Sequence, residues 1–251
     1  MVTMSAAVPE APPFRTDERV DILIRNGNVC DGSGKACRQA DLAIGGDRIL
    51  HVGPIDAQQS AGRVLDAKGL VVAPGYIDAH AHSDPFGNVD HLLAMGVTTI
   101  VVGQDGNSPD ERIKAYLDRV DASRPRVNVA TLVGHATVRS QENLGMKTDL
   151  DGEALGRMNA RVDKALAEGA FGLSTGLEYD PGSAAGPAEL AAIAEPVGRR
   201  GGVVMSHLRS EDDDKVEAAI EELLTQCESA KARAHVAHVK VVLGKGRDRA
   251  Q

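Results

Sequence analysis

Two imidazoles stand two positions apart at the end of the apolar run 71–83, VVAPGYIDAHAHS. In a strand, residues i and i+2 project to the same side. His80 and His82 therefore reach toward one point, where a strand gives way to its loop. Neutral imidazole is a ready ligand for zinc-like divalent ions, and Asp78 just upstream adds a carboxylate of the kind that orients such rings. Other imidazoles follow apolar stretches in the same way. His207 comes after Val203, Val204 and Met205, and His238 lies within 235–242. His235 and His238 are three apart, so in a strand they face opposite sides. Lys240 shares the face of His238, which sets an anion-binding ammonium beside a ligand and leaves His235 structural. His135, in VGHATVR, either orients a substrate or serves as a buried hydrogen-bonding group. His91 reads as surface or packing, and His51 carries no assigned role.

The bulk properties narrow the partners. With 251 residues, a net charge of -8, six aromatic residues (three Phe, three Tyr) and no Trp, the chain lacks the basic field and the stacking platforms of a nucleic-acid binder. It has no apolar run near the roughly 18 residues that span a bilayer, and its first residues lack the basic-then-apolar pattern of a secretory signal. Cys30, Cys37 and Cys227 are an odd, scattered set without CxxC spacing. They read as reduced structural thiols, with Cys30 and Cys37 able to flank a hairpin, which points to a cytoplasmic protein without membrane or nucleic-acid partners.

The elements that must position the histidines fall into two grammars. After a disordered lead-in (1–20), residues 21–70 alternate short strands with Gly-rich turns, including Asn26-Gly27 and Gly45-Gly46-Asp47, a small β module. From 71 to 251, strands alternate with helices, the signature of βα units and a parallel sheet. Strands are expected at 71–78, 98–102, 127–133, 171–174, 203–206 and 235–242. Helices are expected at 89–95, 109–122, 152–168, 188–200 and 211–231. The acidic run Glu211, Asp212, Asp213 and Asp214 reads as the first turn of the last helix, where the dipole favours anions. Polar residues recur just after the strands, the catalytic end of an eight-stranded α/β barrel.

In order, PGYIDAHAHSD, GVTTIVVGQDG, LVGHATVR, GAFGLSTGLEYDPG, MSHLRSE and AHVKVVLGKG resemble the amidohydrolase superfamily, and within it the N-acyl-D-amino-acid deacylases (D-aminoacylases). The resemblance implies an α/β fold: a metal-dependent hydrolase (β/α)8 TIM barrel, here truncated to about six βα units, with a small N-terminal β-sandwich module. It implies one or two Zn2+ ions held by His80, His82, His207 and His238. The family's metal-binding Cys after the second barrel strand is replaced by Asp105, a harder ligand than a thiolate. Lys240, Tyr179 and Arg209 are implied contacts for a small N-acyl amino acid, beside His135 as the candidate contact read from its own sequence position. The implied reaction is hydrolysis of a linear amide by metal-bound hydroxide, giving a carboxylate and a D-amino acid.

The family's proton-shuttling Asp follows barrel strand eight. No residue of this chain is assigned that role, and strands seven and eight are not found. A complementing C-terminal segment is therefore an expected partner, and the chain alone is expected to be unstable. Two alternatives stand beside the deacylase. One is a cyclic amidase of the dihydroorotase or hydantoinase type, disfavoured because 171–174 does not end in the lysine those relatives carboxylate. The other is a non-catalytic fragment.

Overall fold

The computed structural model describes residues 13–110 and 112–242. Residues 1–12 of the expected lead-in and the expected loop at 244–251 lie outside the described residues. The chain divides into two compact units between Pro74 and Gly75.

The first unit is one five-stranded sheet: β1 (Ile22–Val29), β2 (Arg38–Gly45), β3 (Arg48–Gly53), β4 (Arg63–Asp66) and β5 (Val71–Val72). β1 is central, antiparallel to β2 and parallel to β4 and β5. Alternation along β1 and β2 feeds two small apolar clusters, Val20, Leu23, Ala43 and Ile55 in one, and Val29, Ala40 and Leu42 in the other. Among the described residues the expected sandwich is thus a single sheet.

Three expectations for this region are corrected. Asn26-Gly27 is not a turn. β1 runs through it as a bulge, with Asn26 at φ 60°. Asp41 holds that bulge, accepting from Arg25 at 2.8 Å and from the Asn26 amide at 2.9 Å. Cys30 and Cys37 are not free thiols; they form a disulfide across the loop between β1 and β2. The run 71–78 is not one strand, because Val71 and Val72 pair with Asn28 and Val29 of β1.

The second unit is a six-stranded, wholly parallel sheet in sequential order: β6 (Tyr76–Asp78), β7 (Val97–Val102), β8 (Asn128–Gly134), β9 (Gly172–Gly176), β10 (Val203–His207) and β11 (Arg233–Val236). Helices follow the strands: α1 (Asp90–Ala94), α2 (Ile113–Ser123), α3 (His135–Gln141), α4 (Gly152–Ala167), α5 (Pro187–Arg199) and α6 (Val216–Ala230). Sequential parallel order is that of an α/β barrel. Helix α4 shows how the sequence builds these layers. Asp151 accepts from the Ala154 amide at 2.8 Å, starting the helix. Met158, Val162 and Leu166 then recur along one face and are buried with Leu173, Val204, Ile193 and Leu223. Each such side chain contributes about 1.5–3 kcal/mol by leaving water. The inner face of the sheet packs Val101, Leu132 and Met205.

α3 was not anticipated by the periodicity, α2 begins at Ile113 and not at 109, and two further boundaries differ. α6 begins at Val216, five residues after Glu211, because residues 211–215 form a connection in which the Asp212 carbonyl accepts from Lys215 and Val216. β11 stops at Val236, so His238 and Lys240 lie beyond the strand, with Val242 donating to the Glu211 carbonyl at 3.0 Å.

One buried charge cluster ties α3 to α5. Glu189 accepts from His135 Nε2 at 2.6 Å and Arg139 Nη1 at 2.5 Å, while Arg139 also donates to the Gly145 and Lys147 carbonyls. All three side chains are essentially inaccessible. Burial pushes the Glu189 carboxyl up, but the bonds from His135 and Arg139 outweigh it, and the group lies below the usual glutamate range. A carboxyl depressed by folding contributes stability that is present above its unfolded pKa and lost as pH falls through its folded one. Glu189→Gln should therefore cost about 3 kcal/mol or more near neutrality, by leaving Arg139 uncompensated. In denaturant titrations the deficit should shrink below about pH 4; a pH-independent deficit would refute this account. Cys227, on the buried face of α6, has its thiol pushed up by burial to about 11. It should react with a disulfide reagent at pH ~8 only as fast as the protein unfolds, and prompt labelling of the native chain would contradict that.

Candidate metal centre

The sequence pattern placed polar groups at strand ends, and the fold gathers them. In a flat sheet, β6 and β11 would stand about 24 Å apart across five inter-strand gaps. Yet the rings of His80, just past β6, and His238, just past β11, lie with centroids 5.5 Å apart. The strand ends curl toward one another, and the site forms where they converge.

Each contributor is fixed by backbone. The Ala81 amide donates to the Val101 carbonyl at 3.0 Å, extending the pairing of β6 with β7 beyond the strand. Ala81 is buried, and its flanking histidines turn to the other side. The His80 amide donates to Asp78 Oδ1 at 3.1 Å. Next comes the turn Gly103-Gln104-Asp105-Gly106 after β7. Gln104 donates to the Ala79 and Val101 carbonyls, tying this turn to the His80 segment. Asp105 sits at φ 52°, between Gly103 at 85° and Gly106 at 81°. The turn presses on β9 so closely that a Cβ on Gly176 would lie 2.3 Å from the Asp105 carbonyl oxygen.

Asp105 Oδ2 lies 3.1 Å from His82 Nε2 and 3.6 Å from His80 Nε2, and those two nitrogens are 3.2 Å apart. Asp105 Oδ1 lies 3.7 Å from His207 Nδ1. Ligand atoms of His80, His82 and Asp105 form one group of three mutually close donors, and those of Asp105, His207 and His238 a second. A third group, Glu178, His207 and Glu211, shares His207. Desolvation lowers the His80 pKa against the opposing pull of Asp105, so its ring favours the neutral form that binds metals.

These groups fit a divalent cation. Asp105 Oδ1, Glu211 Oε1 and His238 Nδ1 are buried atoms without a hydrogen-bond partner. His238 Nδ1 and Glu211 Oε1 approach to 2.5 Å, yet neither has hydrogen-bonding geometry toward the other. Buried lone pairs that converge without sharing protons are costly unless something cationic sits among them.

The expected ligands His80, His82, Asp105, His207 and His238 thus come together. The expected substrate contacts fare unevenly. Lys240 reaches the site, but Glu211 Oε2 takes its ammonium at 2.9 Å, and that bond raises the lysine pKa. Tyr179 is half exposed, its hydroxyl 3.4 Å from His207 Nδ1, with its pKa raised first by desolvation and then by Asp105, Glu178 and Glu211. Arg209 is corrected. Its guanidinium is occupied by Glu222 and by the Ser183 and Ala185 carbonyls, so it braces the loop after β9 instead of meeting a ligand. Of the two roles left open for His135, the structure shows the buried hydrogen-bonding one and not a substrate contact, since the ring is wholly buried against Glu189.

Glu211 was missed. Its acidic neighbours made it look like a helix start, yet it is 2% exposed and borders His207, His238 and Lys240. The only local signal was its position four residues after His207. A cavity of about 960 Å3 is lined by residues such as Ser108, Lys114, Thr137 and Lys164 and by none of these histidines; the chemistry lies elsewhere. A smaller cavity of about 390 Å3 borders His82 and Gln104.

The amidohydrolase family model matches residues 63–242, and the chain belongs to that family. Within it, the chain is similar to the N-terminal part of the D-aminoacylases. It is 37% identical over 232 residues to the N-acyl-D-glutamate deacylase of Alcaligenes xylosoxydans xylosoxydans, an alignment covering 82% of this chain and 47% of that protein. The crystal structure of N-acyl-D-glutamate deacylase from Bordetella bronchiseptica, complexed with zinc and a phosphonate mimic of the tetrahedral intermediate, matches with TM-score 0.86 and 34% identity, over 93% of this chain and 54% of that one. A D-aminoacylase structure concerned with its binuclear metal centre, with one-metal activation and second-metal attenuation, matches at TM-score 0.81 and 32% identity, over 92% and 54%. The chain spans about half the length of these relatives. No helix among the described residues is long and apolar enough to cross a membrane.

Two substitutions probe the Asp105 turn. Asp105→Asn removes the charge that faces the imidazoles, and Gly176→Ala forces the turn away from β9. Each should weaken zinc binding at least tenfold in competition with a chromophoric chelator. Unchanged affinity in both would show that Asp105 plays no part in holding a metal.

Proposed function

We propose that this chain provides the metal-holding part of a zinc-dependent hydrolase acting on the linear amide of N-acyl-D-amino acids. The observation that carries the reading is the convergence of His80, His82, Asp105, His207 and His238 around buried, unpaired ligand atoms. The zinc-bound deacylase from Bordetella bronchiseptica and the N-acyl-D-glutamate deacylase of Alcaligenes xylosoxydans xylosoxydans support it by similarity.

Zinc, when bound, supplies Lewis acidity that polarises a carbonyl and acidifies water. The chain's own residues do the rest. His80, His82, Asp105, His207 and His238 would hold one or two such ions. Lys240, steadied by Glu211, offers an ammonium half exposed to solvent to the substrate carboxylate. Tyr179, beside His207, supplies a phenol to the amide at the mouth of the site. Substitution of the family's Cys by Asp105 makes the shared ligand harder and is expected to weaken retention of zinc relative to a thiolate.

On this reading, a complementing C-terminal segment completes the barrel beside β6 and β11, supplies the proton-shuttling Asp, and adds the second layer of a β-sandwich to the first unit. Exposed apolar side chains on the edge strand β6, Tyr76 and Ile77, and Val239 just past β11, are the surface it would cover. The substrate is a small molecule, and neither nucleic acid nor membrane is a partner. The proposed setting is the cytoplasm, although the Cys30–Cys37 disulfide speaks for an oxidising one. A cyclic amidase is less well supported, since β9 reads Gly-Leu-Ser-Thr-Gly without a lysine.

The test is hydrolysis of N-acyl-D- and N-acyl-L-amino acids by the zinc-loaded chain, alone and combined with a segment carrying the remaining barrel strands. Release of D-amino acids by the combination, with little from the chain alone, is expected. Release of neither enantiomer under both conditions would reject the activity, and turnover of a cyclic ureide would favour the alternative.

A further inference from the structure

We propose that Glu178 is a positioning residue for the metal centre, holding the Nε2 side of His207 so that Nδ1 presents its lone pair toward Asp105. The proposal rests on the zinc-binding part of the proposed function and is independent of the substrate. Neutral imidazole carries one N–H and one lone pair, so a ligand histidine must have its tautomer chosen by whatever bonds its other nitrogen. His207 is 2% exposed, and both its nitrogens have identifiable surroundings. Nε2 makes a hydrogen bond to Glu178 Oε2 at 2.8 Å. Nδ1 lies 3.7 Å from the unpaired Asp105 Oδ1 and 3.4 Å from the Tyr179 hydroxyl.

The other acceptor near Nε2 is Glu211 Oε1, at 3.8 Å, beyond hydrogen-bonding range. Glu211 is moreover engaged by Lys240 and crowded by His238. A carboxylate accepting from Nε2–H fixes ring orientation and raises the basicity of Nδ1, the usual service of an outer carboxylate to a metal-bound histidine.

The fold delivers Glu178 to that place. Gly176 pairs with His207 across β9 and β10, and the Leu177 amide donates to the His207 carbonyl at 3.1 Å. The loop that follows is clamped by Arg209 through the Ser183 and Ala185 carbonyls, with Glu222 holding the guanidinium in turn. Arg209, which cannot greet a substrate carboxylate, thus gains a role: it keeps the loop bearing Glu178 and Tyr179 against His207. The competing role for Glu178 is as a ligand of a separate cation with His207 and Glu211. The hydrogen bond at Nε2 favours a proton between them.

The experiment compares the full chain with E178A and E178Q. Zinc affinity is read by chelator competition, zinc content by elemental analysis, and folding by thermal melting. Glu178 is nearly half exposed, so both variants should melt like the parent. E178A should bind zinc 10- to 100-fold more weakly at unchanged stoichiometry. E178Q, whose amide oxygen still accepts from Nε2–H, should recover most of that loss. Parental affinity in E178A overturns the proposal. So does loss of one zinc equivalent in both variants, which would make Glu178 a ligand. A parent chain that binds zinc without releasing any amino acid defeats the proposed activity and leaves this inference standing; one that takes up no zinc defeats both.

Discussion

The carboxylate of Asp105 is the point on which the second unit is hung. It faces His80 and His82 through one oxygen and His207 through the other. Those residues belong to the ends of β6 and β10, separated in the sheet by three strands. No local interaction can bring them together; only the curl of a parallel sheet does so. The turn that carries Asp105 is correspondingly constrained, with positive φ at three of its four residues and no space for a side chain on Gly176 opposite. Such a backbone persists only where its surroundings determine it. Here Gln104 supplies bonds on one side and Ser174 Oγ, accepting from the Gly106 amide at 3.1 Å, on the other.

Buried charge is handled in two contrasting ways. In the cluster behind β8, Glu189 is matched by His135 and Arg139, and Arg139 is matched again by two carbonyls. Such compensation makes the cluster a rigid joint between α3 and α5. Around Asp105 and Glu211 the matching is incomplete, and lone pairs are left facing one another. Unpartnered buried atoms occur elsewhere as well, at His51, His135 and Gln226, but around Asp105, Glu211 and His238 several lie close together, and it is that convergence that suits a cation. The same distinction separates the histidines: His135 is spent on structure, while His80, His82, His207 and His238 converge.

Much of the architecture was legible in residue order. The change from alternating strands to alternating βα units placed the two modules, and His80, His82 and His207 at strand ends, with His238 within the last expected strand, pointed to one candidate site. Where the reading failed, a local rule met a tertiary partner. Glu211 obeys the rule for a helix start, yet Lys240 and His238 draw it into the site and the helix begins later. Val71 and Val72 continue an apolar run into the barrel, yet β1 of the first unit claims them. Asn26-Gly27 has the composition of a turn, yet Asp41 holds it as a bulge within β1.

By itself the sequence determined the kinds of chemistry available. Imidazoles two apart on a strand share a side whatever the remainder of the fold does, because the pleat has a period of two. Periodicity likewise located most of the helices and strands of the second unit, though not α3. The tertiary structure alone decided which charged groups are free to meet a ligand and which are already paired. Arg209, His135, Glu178 and Glu211 have side chains equally suited to either fate. Their partners, Glu222, Glu189, His207 and Lys240, lie 13, 54, 29 and 29 residues away in the chain. Pairing across such separations depends on how strands stack and curl, and no spacing rule along the sequence carries that information.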